Sequence, residues 1–262
     1  TLTKLKTVGD YAFYGTDVTD VELPSVTRVG EYAFAGCASL KDISLKSLSS
    51  LPLSALKDST AISIIRLNSV KTLPVGEDGS TYVRDKPLIS QFYGERVTEI
   101  PDSYFEGKDH LGYVSFANVT KIGNRAFMNT ALSGINSFEM VEVIGDYAFY
   151  NAPLFTTATF DCATEIGDYA FYGTKITDLD TFYIEKIGDY AFANCPYLDD
   201  VVIYNDDYYN EGNGVIELGK GVFENNTGLT RAVLMFEDVE LPDYFFKNCS
   251  KLISVTVGNS VT

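Results

Sequence analysis

The chain has 262 residues, 45% of them hydrophobic and 21% charged, a balance that folds rather than stays disordered. Its 36 acidic residues outnumber 20 basic ones, giving a formal net charge of −16 and a pI near 4.4. Phosphate backbones and anionic lipid repel such a surface, so nucleic-acid binding and membrane attachment by charge are excluded.

In chain order, the first recognisable element opens at Val8 with VGDYAF, and a near-copy, VGEYAF, opens at Val29. Looser versions start at Leu51, Leu73, Ile100 and Ile122. The phrase IGDYAF stands intact from Ile144, Ile166 and Ile187, and loose copies follow at Leu218 and Leu241. Most steps between starts are 21 to 23 residues. A fixed period of this size means a stack of like units, each unable to bury its apolar face without a neighbour. Residues 1–262 are therefore expected to form a single solenoid of about eleven repeats.

Two units, those from Leu51 and Leu73, are weak. The second lacks the Phe, has Val83 nearest that role and carries about five extra residues. The unit from Ile187 keeps the phrase but is stretched to 31 residues by the segment 204–214. No stretch approaches the ~18 apolar residues of a membrane span, and no signal peptide is visible. The chain begins at Thr1 without Met, and Leu2 and Leu5 read as the tail of an earlier repeat. It is expected to be part of a longer product.

Within the unit from Ile187, Ile187 points inward, Gly188 permits a tight backbone, and Asp189 is placed to cap a short helical turn over Tyr190, Ala191, Phe192 and Ala193. Phe192 and its equivalents Phe13, Phe34, Phe105, Phe127, Phe149, Phe171, Phe223 and Phe246, with Leu56 standing in once, are expected to form a buried column. Each such burial is worth roughly 1.5–3 kcal/mol. A short alternation follows: Leu198, Val201, Ile203 here, and Leu40, Ile43, Leu45 or Leu252, Val255, Val257 elsewhere. Period-two spacing over so few residues predicts a short strand with one face inward. Successive strands would pair into a long parallel sheet, wound right-handedly by the general crossover rule.

The L-x-x-L-x-L strand followed by I-G-x-x-A-F-x-x-C/T-x-x-L resembles the BspA-like subclass of bacterial leucine-rich repeats, over essentially the whole chain. The resemblance implies a right-handed leucine-rich-repeat solenoid of α/β class, strand-dominated, with short helical or irregular turns opposite the sheet. It also implies a secreted or cell-surface bacterial protein that binds or adheres to host or matrix proteins. A spacer presenting another domain is the rival reading; a carbohydrate-binding or carbohydrate-processing protein is a remote one.

Candidate sites are few. Cys37, Cys195 and Cys249 fall eight residues after their repeat starts, where Thr16, Thr130, Thr174 or Ala152 stand in other units, so they read as small packing residues. Their separation by more than one repeat rules out a disulfide on reach. No CxxC pair occurs and His110 is the only histidine, so no metal or cofactor is expected. Asp10, Glu31, Asp102, Asp146, Asp168, Asp189 and Asp243 form an acidic column. One carboxylate per repeat is too few for calcium, and capping is the expected role. A tyrosine column, Tyr11, Tyr32, Tyr147, Tyr169, Tyr190 and Tyr244 with Tyr14, Tyr150 and Tyr172 nearby, reads first as an edge cover and second as a platform for a sugar or a protein.

The leading binding candidate is the stretched segment 204–214, where Tyr204, Tyr208 and Tyr209 offer contact area and Asp206, Asp207 and Glu211 offer acceptors. The insertion at 76–86 is a second candidate. Outward strand positions Glu22, Ser44, Arg66, Ser115, Asn136, Asp180, Val202, Val233 and Thr256 read as a mixed surface without aromatics, with Arg66 and Asp180 its contact residues. No P-loop, G-x-S-x-G or G-x-G-x-x-G after a strand is present, so no enzyme is expected. Asn118, Asn225 and Asn248 match N-x-S/T, which matters only in a glycosylating host. The expected partner is a host or matrix protein, or a glycan, met by a monomer.

Overall fold

The computed structural model describes residues 4–133, 135–136, 138–152, 160–204, 216–236 and 240–258. The chain winds into a parallel β-solenoid with almost no helix. Strands Asp20–Glu22, Asp42–Ser44, Ile64–Arg66, Gln91–Tyr93, Tyr113–Ser115 and Ile135–Asn136 pair in that order, each parallel to the next. Further along, Asp178–Thr181, Asp200–Tyr204, Arg231–Met235 and Ser254–Gly258 pair the same way. The register aligns Val21, Ile43, Ile65, Phe92 and Val114, all buried, so every strand turns the same face inward.

A second ladder runs along the start of the repeated phrase. Two-residue strands Thr7–Val8 and Arg28–Val29 pair at one end. Glu99–Ile100, Lys121–Ile122, Val143–Ile144, Glu165–Ile166, Lys186–Ile187 and Glu217–Leu218 pair from the fifth unit on. Between these two runs lie the weak units from Leu51 and Leu73, and the ladder is broken there. The glycine of each phrase follows this strand where consecutive coils approach closest. A Cβ built on Gly188 would stand 2.5 Å from the Asp168 nitrogen and 2.6 Å from the Gly167 carbonyl carbon.

The phenylalanine column is buried and stacked. Phe105, Phe127, Phe149, Phe171 and Phe192 lie face to face at centroid distances of 5.2, 5.3, 5.1 and 5.0 Å. Leu56 and Val83 carry the column through the weak units, both buried. Beside it runs a second aromatic column that the repeat phrase did not disclose: Phe92, Phe116, Phe138 and Phe160, spaced 5.8, 6.2 and 6.4 Å. The two columns interlock, as in the 6.0 Å tilted contact of Phe127 with Phe138.

The four cysteines are free. Three of them act as hydrogen-bond donors between coils: Sγ of Cys37, Cys195 and Cys249 reaches the carbonyl of Phe13, Phe171 and Phe223 at 2.9, 3.1 and 3.0 Å. Ser59 Oγ and Asn226 Nδ2 donate in the same way to Phe34 and Phe192 at 2.6 and 2.9 Å. The column accepts Cys, Ser or Asn because each supplies one donor to a buried carbonyl. Burial also pushes the Cys195 thiol up to about 11.

The expected helical turn is not helical. Among the described residues the one helix is the short 3-10 segment Leu53–Leu56. In the intact phrases the tyrosine takes a left-handed conformation, φ 56 at Tyr147, 55 at Tyr169 and 54 at Tyr190. Its N–H leaves its own coil: Tyr147 donates to the Asp168 carbonyl and Tyr169 to that of Asp189, both at 2.8 Å. Bonding between coils replaces the i to i−4 bonds that a helix would need.

Candidate functional site

The acidic column does different work from capping. Asp168 N–H donates to Asp146 Oδ1 at 2.9 Å, Asp189 N–H to Asp168 Oδ1 at 2.8 Å, and Lys220 N–H to Asp189 Oδ1 at 2.9 Å. Asn124 takes the same place, accepting from Asp146 N–H at 2.8 Å. Each side chain thus bonds the peptide of the next coil, and the column is a polar seam between coils rather than a set of caps. Among the described residues no cluster of three or more His, Cys, Asp or Glu is placed to hold a metal ion. Asp146→Ala is expected to lower stability by about 0.5–1.5 kcal/mol, the net worth of an ordinary hydrogen bond, since the seam is exposed and neutral Asn124 serves in it equally. Asp146→Asn is expected to stay near wild type, since Asn124 already performs the role. Urea denaturation of both variants tests this, and equal loss in the two would refute the seam.

The tyrosine columns are stacked on themselves. Tyr147, Tyr169 and Tyr190 lie 5.0 and 5.2 Å apart with interplanar angles of 7° and 25°, and Tyr150 lies over Tyr172 at 5.0 Å. Rings stacked this way cover each other's faces and present edges and hydroxyls to solvent. Within these stacks a sugar cannot lie on a ring face.

The open face of the main sheet differs from the expectation in one respect: it carries aromatics. Tyr93 and Tyr113 point outward from adjacent strands, ring centroids 5.4 Å apart. Arg66, on the strand before, lays its guanidinium over Tyr93 at 5.1 Å from the ring centroid. The other side of Arg66 is ion-paired with Asp42. Tyr93 OH donates to Gln91 Oε1 at 2.9 Å, and Ser115 Oγ to Glu95 Oε1 at 2.7 Å. Arg66, Tyr93 and Tyr113 are therefore held in one geometry before any partner arrives. Both tyrosines are half-buried, which leaves contact area without a loose side chain. The clue lay in reading QFY and YVS as out-in-out strands. The insertion in the unit from Leu73 displaces Tyr93 from its repeat position, so the spacing hid it.

Asp180 lies on the same face at the other stretch of sheet, beside Val202. Its carboxyl is held above the usual range, first by loss of solvent and then by Asp200 and Asp178. Tyr204 ends its strand and stacks on Phe182 at 5.8 Å and 3°. The structure thus separates Arg66 from Asp180 and Tyr204 along the sheet, as two patches. Asp206, Asp207, Tyr208, Tyr209 and Glu211 lie outside the described residues. His110, the single histidine, stands exposed beside Asp109 at 4.0 Å.

Comparison with known proteins agrees with this geometry. A family model described as BspA type leucine rich repeat region matches residues 4–77, 83–154, 98–207 and 164–262. A search of curated proteins returns no match. Among solved structures, a leucine-rich repeat protein from Bacteroides ovatus is 21% identical and superposes with a TM-score of 0.61, over 98% of this chain and 67% of that one. One from Eubacterium ventriosum gives 16% and 0.44, over 97% and 70%. A leucine rich cell surface protein from Faecalibacterium prausnitzii gives 16% and 0.32, over 98% and 84%. Only the first superposes closely enough to bear on the fold.

Proposed function

Because this chain belongs to the BspA-type leucine-rich repeat family, we propose that it is a non-enzymatic recognition module of a bacterial cell-surface protein, binding a host or matrix protein as a monomer. The observation that carries this reading is the Arg66, Tyr93 and Tyr113 cluster on the open sheet face. Protein interfaces concentrate binding energy in a few Tyr and Arg side chains set among near-neutral contacts. About ten strands at ~4.8 Å give a face close to 50 Å long, and a width of roughly 15 Å brings it near the ~800 Å² per partner of a standard interface. Asp180 and Tyr204, with Asp206, Asp207, Tyr208, Tyr209 and Glu211, are proposed as a second contact further along. The cell-surface placement is supported by the description of the Faecalibacterium protein.

The test is a matrix-protein array followed by affinity measurement on variants. Tyr93→Ala and Arg66→Ala are each expected to weaken the captured partner by about 30-fold, equivalent to about 2 kcal/mol, the threshold of an interface hot spot. The melting temperature should stay within a few degrees of wild type. A saturable partner that ignores both substitutions would remove the sheet face from the reading. An array with no specific hit would favour the spacer.

A further inference from the structure

The tyrosine column of the back turns is interrupted once over several consecutive coils. Its positions read Tyr11, Tyr32, Ser54, Thr81, Ser103, Arg125, Tyr147, Tyr169 and Tyr190. Four rings are thus missing, replaced by three hydroxyls and the Arg125 guanidinium, and the first two gaps fall where the ladder of short strands is broken. A cavity of about 530 Å³ occupies the space, lined among others by Tyr32, Ser54, Lys57, Asp58, Thr81 and Arg84. A neighbouring hollow of about 390 Å³ shares Thr81 and Arg84 and adds Ser103. The loss of a ring does not by itself leave a hole. At Gly221, further along the column, the Tyr190 ring closes in until an added Cβ would lie 2.3 Å from its Cε1.

The walls are built. The inserted turn is closed by Gly76 N–H to the Ser80 carbonyl at 2.8 Å, by Ser80 N–H to Asp78 Oδ1 at 2.9 Å, and by Arg84 Nη1 to the Asp78 carbonyl at 2.6 Å. Asp85 is engaged on both oxygens, by Lys86 Nζ and by Asp58 N–H. Lys86 itself is buried at the position where other coils carry Thr, Cys or Ser, and Lys108 Nζ, from the next coil, donates to the Arg84 carbonyl at 3.0 Å. What remains turned to the cavity is specific. Tyr32 is stacked on Tyr11 by one face, at 5.1 Å, and the ring that would cover its other face is absent, Ser54 standing in its place. Neither Lys57 nor Arg84 enters an ion pair among the described residues; Arg84 donates to the Asp78 carbonyl and also attracts the Asp78 carboxylate. Asp58 and Asp78 supply carboxylate acceptors, and the Thr81 hydroxyl, which accepts from Val83 N–H and Arg84 N–H at 3.2 and 3.0 Å, keeps its proton to donate. Ser54 Oγ is already engaged, donating to Glu31 Oε2 and accepting from Tyr32 N–H.

An uncovered aromatic face, the Thr81 hydroxyl, the Asp58 and Asp78 carboxylates, and two cations outside every ion pair among the described residues match a ring that has both hydroxyls and an acid group. We propose that this gap binds one carboxylated sugar residue, of the hexuronic class: ring against Tyr32 in the space Ser54 leaves open, hydroxyls toward Asp58, Asp78 and Thr81, carboxylate toward Arg84 and Lys57. The volume lies within the range of small-ligand pockets. The site is on the back turns and is independent of the sheet face proposed for protein recognition.

Calorimetric titration of the whole chain with glucuronate tests it, with methyl glucoside and acetate as probes of the ring alone and the charge alone, and trigalacturonate as the polymer. Saturable binding of glucuronate or trigalacturonate is expected, at least tenfold tighter than methyl glucoside or acetate. A preference for trigalacturonate marks a polysaccharide source and parity marks the free sugar. Ser54→Tyr, which refills the column, and Arg84→Gln should each weaken binding at least tenfold, while Lys251→Gln, exposed and remote from the cavity lining, should leave it unchanged. Equal affinity for acetate, wild-type binding in both Ser54→Tyr and Arg84→Gln, or no saturation with either acid sugar would overturn the proposal.

Discussion

Replacing Phe127 by alanine is expected to lower stability by about 3–5 kcal/mol, the range for deleting a fully buried aromatic side chain. Phe127 is sandwiched between Phe105 at 5.2 Å and Phe149 at 5.3 Å and meets the second column through Phe138 at 6.0 Å. Neither column can collapse into the void, because each ring is already held at stacking distance by the coil beyond it. In a nearly one-dimensional stack, stability is a sum of units and nearest-neighbour contacts. A void between two coils therefore weakens the coupling of everything on either side. Thermal unfolding should shift down by roughly 6–20 °C, at about 2–4 °C per kcal/mol, and the transition should broaden as the two halves uncouple. Phe13, only partly buried near one end of its column, is the contrast: its truncation should cost less. A Phe127→Ala protein that melts within a degree or two of wild type would mean that the column is not the source of cohesion.

What the sequence discloses of this molecule is what repeats within one chain period. The inward strand residues, the phenylalanine column and its stand-in Leu56 are visible because burial selects residue type at each position independently. Relations between coils are less visible. Asp146 and Asp168 look like caps when each unit is read alone, because capping is local and the contact to the next coil's peptide is not. The coil spacing turns them into a seam. Tyr93 escaped for another reason: five extra residues upstream shift it out of phase, so a face that seemed to lack an anchor has one. The serines and threonine that interrupt the tyrosine column were present in the letters. Their meaning depends on the rings being stacked, since only then does removing those at Ser54 and Thr81 open a cavity.

The glycine of the repeated phrase gives the strongest single-atom test of this coil-to-coil reading. Gly167 is not in the left-handed region, so backbone conformation does not demand glycine there. Space does: an added Cβ would lie 2.5 Å from Asp146 Oδ1, 2.6 Å from the Asp146 nitrogen and 2.7 Å from the Gly145 carbonyl carbon. Two of these three atoms are backbone and cannot rotate away. Gly167→Ala must then part the coils, straining the 2.8 Å bond from Gly167 N–H to the Ile144 carbonyl and the 2.9 Å seam bond beside it. The expected loss is about 3 kcal/mol or more, at the upper end of overpacking. Gly9 occupies the same position in the phrase, yet nothing lies within 4 Å of its added Cβ. Gly9→Ala should be neutral or stabilise by up to about 1 kcal/mol, because it only reduces the freedom of the unfolded chain. Chemical denaturation of the pair separates two accounts of the glycine. If both substitutions cost the same, it serves local conformation; if only Gly167→Ala is damaging, the distance between coils is what requires it.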